Sequence, residues 1–165
     1  NAEQAALLKL AAPMHDTGKI GIPDAILCKP AKLDADEWQV MQTHCRIGHK
    51  ILAQSDAPVF QLAAEVALRH HERWDGSGYP DGLAGAAIPE SARIVALADV
   101  FDALSMKRPY KEAWPIERVI ETVQQSAGSH FEPRLVEIFA TRLPQLREIQ
   151  DHWDTREASH VSGMS

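Results

Sequence analysis

Six side chains have the types and spacing for metal chemistry. His15-Asp16 and His70-His71 are adjacent pairs, His44 lies on a helical stretch between them, and Asp99 interrupts an otherwise apolar run. Burying an unpaired carboxylate is too costly to go uncompensated, so Asp99 requires a cationic partner, a proton or a metal. Composition alone leaves a salt bridge, a protonated acid and a metal open. A lone histidine is more often a core or surface residue than a ligand, but five further donors at predicted helix ends or beside a helix face favour the metal. Neighbouring residues point about 100° apart on a helix. At a terminus both can turn toward one site, or each can serve a different ion of a pair. The set is imidazole and carboxylate without thiolate, which suits Fe, Mn, Ni or Zn and argues against a structural cysteine-type zinc site.

The elements that must position these donors read as helices. Ala2 to Met14 is rich in Ala and Leu, with Pro13 allowing a kink, and delivers His15 and Asp16 to a helix end. A loop with Gly18, Gly21, Pro23 and Pro30 follows. Asp34 and Glu37 then form a capping pattern. It starts a helix whose Trp38, Met41, Cys45, Gly48 and Leu52 share one buried face, with His44 beside it. Pro58 opens a third helix, where Val59, Ala63, Val66 and His70 share a side and the histidine pair ends the element. Residues 72–89 form a glycine-rich connection, a length usually reserved for function.

The stretch from Glu90 to Met106 is apolar almost all round, which predicts a central, buried helix. Further helices are expected from Pro115 to Ala127, closed by Gly128, from Pro133, and from Pro144 to about Arg156 through Leu146, Ile149 and Trp153. Residues 157–165 read as a disordered tail. No segment alternates with period 2 and no internal repeat is visible, so the expected fold class is all-α.

The chain has 165 residues, 45% hydrophobic and 24% charged, which is an ordinary balance for one globular domain. A net charge of -6 has the wrong sign for neutralising a long phosphate backbone, so DNA is not an expected partner. No stretch approaches the roughly 18 apolar residues of a membrane span, and the basic-then-apolar pattern of a signal peptide is lacking. Cys28 and Cys45 form no CxxC pair and read as reduced packing residues. A cytoplasmic location is expected. His49, His130, His152 and His160 read as structural or solvated, and Trp38, Trp74 and Trp114 as packing residues.

His15-Asp16-Thr17-Gly18-Lys19 is similar to the HD-x-G-K signature of the HD phosphohydrolase superfamily. The segment from His70-His71-Glu72 to Gly78-Tyr79-Pro80 resembles the HHE…DGxGYP element of its HD-GYP branch. Residues 21–38 and 93–104, Arg108-Pro109-Tyr110-Lys111, and Gly128 with Phe131 and Pro133 extend the resemblance in order from about Leu7 to Phe139. It implies an HD-domain helical bundle over residues 1–156. Family members carry an N-terminal helix or helices upstream of the HD motif, and these are expected to be missing here, since fourteen residues precede His15.

The implied activity is hydrolysis of cyclic di-GMP to pGpG or on to GMP. Its metal ligands would be His15, Asp16, His44, His70, His71 and Asp99, with Asp16 bridging two metals and a bridging water as nucleophile. Two divalent transition metals are implied, three in some members, with Fe or Mn ahead of Ni or Zn. Lys19 would stabilise charge at the phosphate. Arg108 and Lys111 would clamp phosphate, and Tyr79 and Asp102 would contact substrate or serve the loop and a ligand structurally. A response-regulator receiver domain upstream, GGDEF-domain partners and a homodimer are further implications. The rival readings are a weakly catalytic regulatory module that binds GGDEF-type partners, and a phosphohydrolase of ordinary nucleotides.

Overall fold

The computed structural model describes residues 1–106, 113–146 and 148, and the regular structure among them is helical, without a strand. The eight α-helices are α1 (Ala2–Ala11), α2 (Asp24–Leu27), α3 (Ala35–Gln42), α4 (His44–Leu52), α5 (Pro58–Arg69), α6 (Glu90–Ser105), α7 (Ile116–Gln125) and α8 (Pro133–Thr141). Three 3-10 turns, Ala12–Met14, Thr17–Gly21 and Gly85–Ala87, complete the described elements. Residues 143–146 are helical as well. The rest of the helix expected to Arg156, and the tail 157–165, lie outside the described residues.

Local chemistry explains the starts and stops. Asn1 caps α1 and Asp34 caps α3, each in a reciprocal capping box with the residue three positions on. Pro58 and Pro133 occupy first turns, where the missing N–H costs nothing. Gly128, at φ +80°, follows α7 in the left-handed conformation that ends helices.

Two apolar clusters hold the chain. Ala11, Leu52, Ala63, Ala64 and Ala67 let α1, α4 and α5 approach closely. Val123, Phe131, Val136 and Phe139 form the second with Leu97, Val100 and Phe101 of α6. There the Phe101 and Phe139 rings meet edge to face at 5.5 Å, worth about 0.5–1.5 kcal/mol beyond area burial. Arg93 bonds Glu132, and Arg134 bonds both Glu132 and Glu90, which ties α6 to the start of α8.

Two expectations change. The single helix expected across residues 35–52 is two, α3 and α4, divided at Thr43, whose hydroxyl donates to the Val40 carbonyl at 2.6 Å. Thr43 stays in the right-handed region (φ -65°, ψ -17°), so α4 is a new start that places His44 at its first position. The α6 helix is only partly covered: Ala92, Val95, Ala96 and Ser105 are buried, whereas Ile94 is 37% exposed. Asp99 is therefore half-buried at the edge of the site, with its side chain 33% exposed.

Candidate metal centre

Four elements deliver the donors. The α1 helix tightens into the Ala12–Met14 turn, and His15 caps it. Asp16 follows at φ -96°, ψ 7°, in the sparsely allowed bridge region where active-site residues are often found. The Thr17–Gly21 turn then lies directly on α4. A Cβ on Gly18 would stand 1.9 Å from the His44 carbonyl oxygen and 2.4 Å from the Gly48 nitrogen, so only glycine permits this approach. His44 opens α4, and His70 caps α5 with His71 next in the turn. Asp99 comes from the middle of α6.

The histidines are aimed by their own backbone. Nδ1–H of His15 donates to Ala12 O at 2.8 Å, that of His44 to Met41 O at 2.7 Å, and that of His70 to Val66 O and Ala67 O at 3.1 Å each. Each bond fixes the tautomer and leaves Nε2 with its lone pair toward the site. His15 Nε2 lies 3.5 Å from Asp16 Oδ2 and 3.5 Å from Asp99 Oδ1, while His44 and His70 Nε2 lie 3.6 and 3.8 Å from Asp16 Oδ1. These separations exceed hydrogen bonds and match donors around a shared ion. His15 Nε2, His70 Nε2 and Asp16 Oδ1 are buried without a hydrogen-bond partner. Each orphaned group costs about 1–3 kcal/mol, which a coordinated cation offsets. The residues present thus fit a divalent metal.

The floor is closed and the mouth open: the His44 and His70 side chains are 2% and 1% exposed, those of Asp16 and Lys19 35% and 40%. Lys19 Nζ donates to Asp16 Oδ2 at 2.5 Å, leaving Oδ1 for the interior. Burial pushes the Asp16 carboxyl up, but the Lys19 bond and charge, with His15 and His70, bring it below its ordinary value. Interaction with Asp99 outweighs burial and raises His15, and His15 in turn holds Asp99 low. Burial lowers His44, and burial with neighbouring histidines lowers His70 to about 4 and His71 to about 3. These three rings are neutral near pH 7 and free to ligate.

The glycine-rich loop closes one side. Tyr79 stacks on His71 at 4.8 Å, donates its backbone N–H to His71 O at 3.2 Å, and meets Trp38 edge-on at 5.9 Å. Glu72, buried to 2% exposure, accepts from the backbone N–H of Asp81 at 3.0 Å and of Leu83 at 2.9 Å. Arg69 bonds both Glu72 and Asp81, and Arg46 of α4 bonds Asp81 at 2.5 Å. A Cβ on Gly78 would fall 2.4 Å from Arg73 N, so the loop runs against the backbone that carries the histidine pair.

All six expected ligands, with Lys19 and Tyr79, come together here. Tyr79 packs against the His71 ring, and Asp102 is an exposed residue of α6. Arg108 and Lys111 lie outside the described residues. Sequence reasoning passed over Glu72 and Asp81 as loop anchors, although the spacing of Arg69 and Glu72 is that of an ion pair one helical turn apart. It also read Cys45 as packing alone. Cys45 is buried, yet its Sγ lies 3.6 Å from His44 Nε2, and its donor atom falls within 4.8 Å of those of His44, His70 and His71.

The HD domain family matches residues 1–135. The chain is 50% identical over 156 residues to the cyclic di-GMP phosphodiesterase response regulator RpfG of Xanthomonas campestris, covering 94% of this chain and 41% of that protein. It is 50% identical over 151 residues to the 3'3'-cGAMP-specific phosphodiesterase 2 of Vibrio cholerae, covering 92% and 27%. It is 45% identical over 158 residues to a cyclic di-GMP phosphodiesterase of Thermotoga maritima, covering 96% and 43%. The chain thus spans less than half the length of these relatives. Among solved structures, a cyclic GMP-AMP specific phosphodiesterase of V. cholerae (V-cGAP3) shares the fold with a TM-score of 0.64 at 20% identity, covering 88% of this chain and 42% of that one. The chain thus belongs to the HD domain family, and its relatives are consistent with the HD-GYP form of it.

Proposed function

We propose that this chain is the hydrolase domain of a metal-dependent cyclic di-GMP phosphodiesterase, yielding pGpG, GMP or both in bacterial second-messenger signalling. The observation that carries the reading is the set of unpartnered Nε2 and Oδ1 atoms on a buried floor beneath an open mouth. His15, Asp16, His44, His70, His71 and Asp99 would hold two or three divalent ions, Fe or Mn ahead of Ni or Zn. Such ions, when bound, supply water acidified toward pKa ~7 and positive charge for phosphoryl oxygens.

The chain's own residues do the remainder. Asp16 turns Oδ1 inward and keeps Oδ2 on Lys19, so one carboxylate joins the floor to the mouth. Lys19 sets an ammonium where phosphoryl oxygens gain charge. Tyr79 holds the loop beside His71, and on the strength of the family resemblance Asp102, Arg108 and Lys111 would contact the substrate.

An upstream receiver domain rests on the response-regulator name of the Xanthomonas relative. GGDEF-domain partners, a homodimer and a cytoplasmic location belong to the same reading. No helix among the described residues is long and apolar enough to cross a membrane.

The test is turnover of cyclic di-GMP beside 3'3'-cGAMP by metal-replete full-length protein, with metal content measured on the same sample. Cleavage of cyclic di-GMP is expected. Metal-replete protein that leaves it intact overturns the reading, and preference for 3'3'-cGAMP moves the substrate to the mixed cyclic dinucleotide.

A further inference from the structure

Two groups of donors share the floor of the site. His15, Asp16 and His70 form one, with ligand atoms mutually within 4.8 Å, and His44, Cys45, His70 and His71 form the other within the same limit. The sequence pattern alone holds no thiolate site, because Cys45 has no second cysteine near it. The fold supplies three imidazoles instead. Cys45 follows His44 in the first turn of α4 and is fully buried. Its Sγ is 3.6 Å from His44 Nε2, and His70, 2% exposed, aims an unpartnered Nε2 into the same group.

Building on the metal reading above, we propose that Cys45 is a sulfur ligand of the divalent ion held by His44, His70 and His71. Coordination replaces the S–H bond with a sulfur–metal bond, and the proton leaves to solvent. One thiolate and three imidazoles make a four-donor set suited to zinc, iron or cobalt, whereas manganese prefers oxygen. A thiolate biases that ion away from manganese, even with Asp16 Oδ1 3.6 Å from His44 Nε2.

The experiment uses full-length protein loaded with Co(II), with the bound metal counted. Wild type is expected to show a thiolate-to-cobalt charge-transfer band in the near ultraviolet, and X-ray absorption of the Zn(II) form is expected to show a sulfur neighbour at about 2.3 Å. Cys45→Ser should lose both signals, keep the Co(II) count at saturation, and bind Zn(II) on the order of 10–100-fold more weakly, the size seen even for losing an outer-shell partner. Cys28→Ser, which removes the exposed thiol, should keep both signals.

Metal-loaded wild type without a sulfur neighbour overturns the proposal and leaves the metal reading standing. A band that survives in Cys45→Ser also overturns it. Wild type that binds no metal overturns both. The wild-type measurements decide the matter even where the serine variant fails to fold.

Discussion

Asp16 and Gly18, two residues apart, bear different loads. Asp16→Ala removes a carboxylate that faces both His44 and His70, and turnover of cyclic di-GMP should fall by more than about 100-fold, since outer-shell losses alone reach 10–100-fold. Metal content should fall with it, which elemental analysis of the purified variant reads. Gly18→Ala changes no donor side chain but drives a methyl into the His44 carbonyl, an overpacking worth about 1–3 kcal/mol or more that must displace the start of α4. A lowered urea midpoint checks it, and an unchanged midpoint means that the turn does not lie on α4. At this scale the candidate donors that the fold brings together were legible because adjacent histidines at helix ends have few structural uses. Cys45 was not. It sits in the same 3-4 rhythm as Met41 and Leu52, and a periodic pattern cannot tell a buried side chain among apolar neighbours from one beside three imidazoles.

The loop from 72 to 89 has Glu72 and Asp81 among its anchors, and Glu72 is the buried one. Glu72→Ala strands the amides of Asp81 and Leu83, at about 1–3 kcal/mol for each unmet group. Hydrogen exchange at those two amides should accelerate while the amides of α5 stay protected, and Glu72→Gln should recover part of the effect through its remaining carbonyl oxygen. Uniform acceleration across both would mean that Glu72 supports the whole domain. The loop's existence was legible from its glycines, but its anchor was not: which carboxylate turns inward depends on where two amides end up after folding. The α6 helix errs in the other direction. Apolar residues all round predict burial on every side, yet coverage depends on how many neighbours reach it, and Ile94 remains exposed.

The whole domain should answer to pH and to chelation. Burial depresses His70 to about 4, His71 to about 3 and His130 to about 4, from an ordinary 6.5. The unfolded chain therefore binds protons that the folded metal-free chain refuses. Stability falls as pH drops from about 6.5 toward 4. His15 acts in the opposite sense, since its raised value stabilises below pH 6.5 and is lost above, but it is one group against four, because burial lowers His44 as well. Denaturant midpoints of metal-free protein at pH 7.5, 6 and 5 should decline in that order, and a flat series contradicts the burial of these rings. A metal at a hundredfold excess over its Kd adds about 2.7 kcal/mol, so chelation should lower Tm by roughly 5–10 °C. The helical class was legible from periodicity, whereas the meeting of α1, α4, α5 and α6 at one point depends on close approaches such as that of Gly18.

His70 belongs to both donor groups, but it has committed Nδ1 to carbonyls and has only Nε2 to give. One lone pair serves one ion at a time. With His70 in the first group, the second keeps His44, Cys45 and His71; with His70 in the second, the first keeps His15 and Asp16, with Asp99 at hand beside His15. Were two ions held here, the one without His70 would draw on fewer of this chain's donors, and His70 would decide which of the two groups binds its ion more tightly.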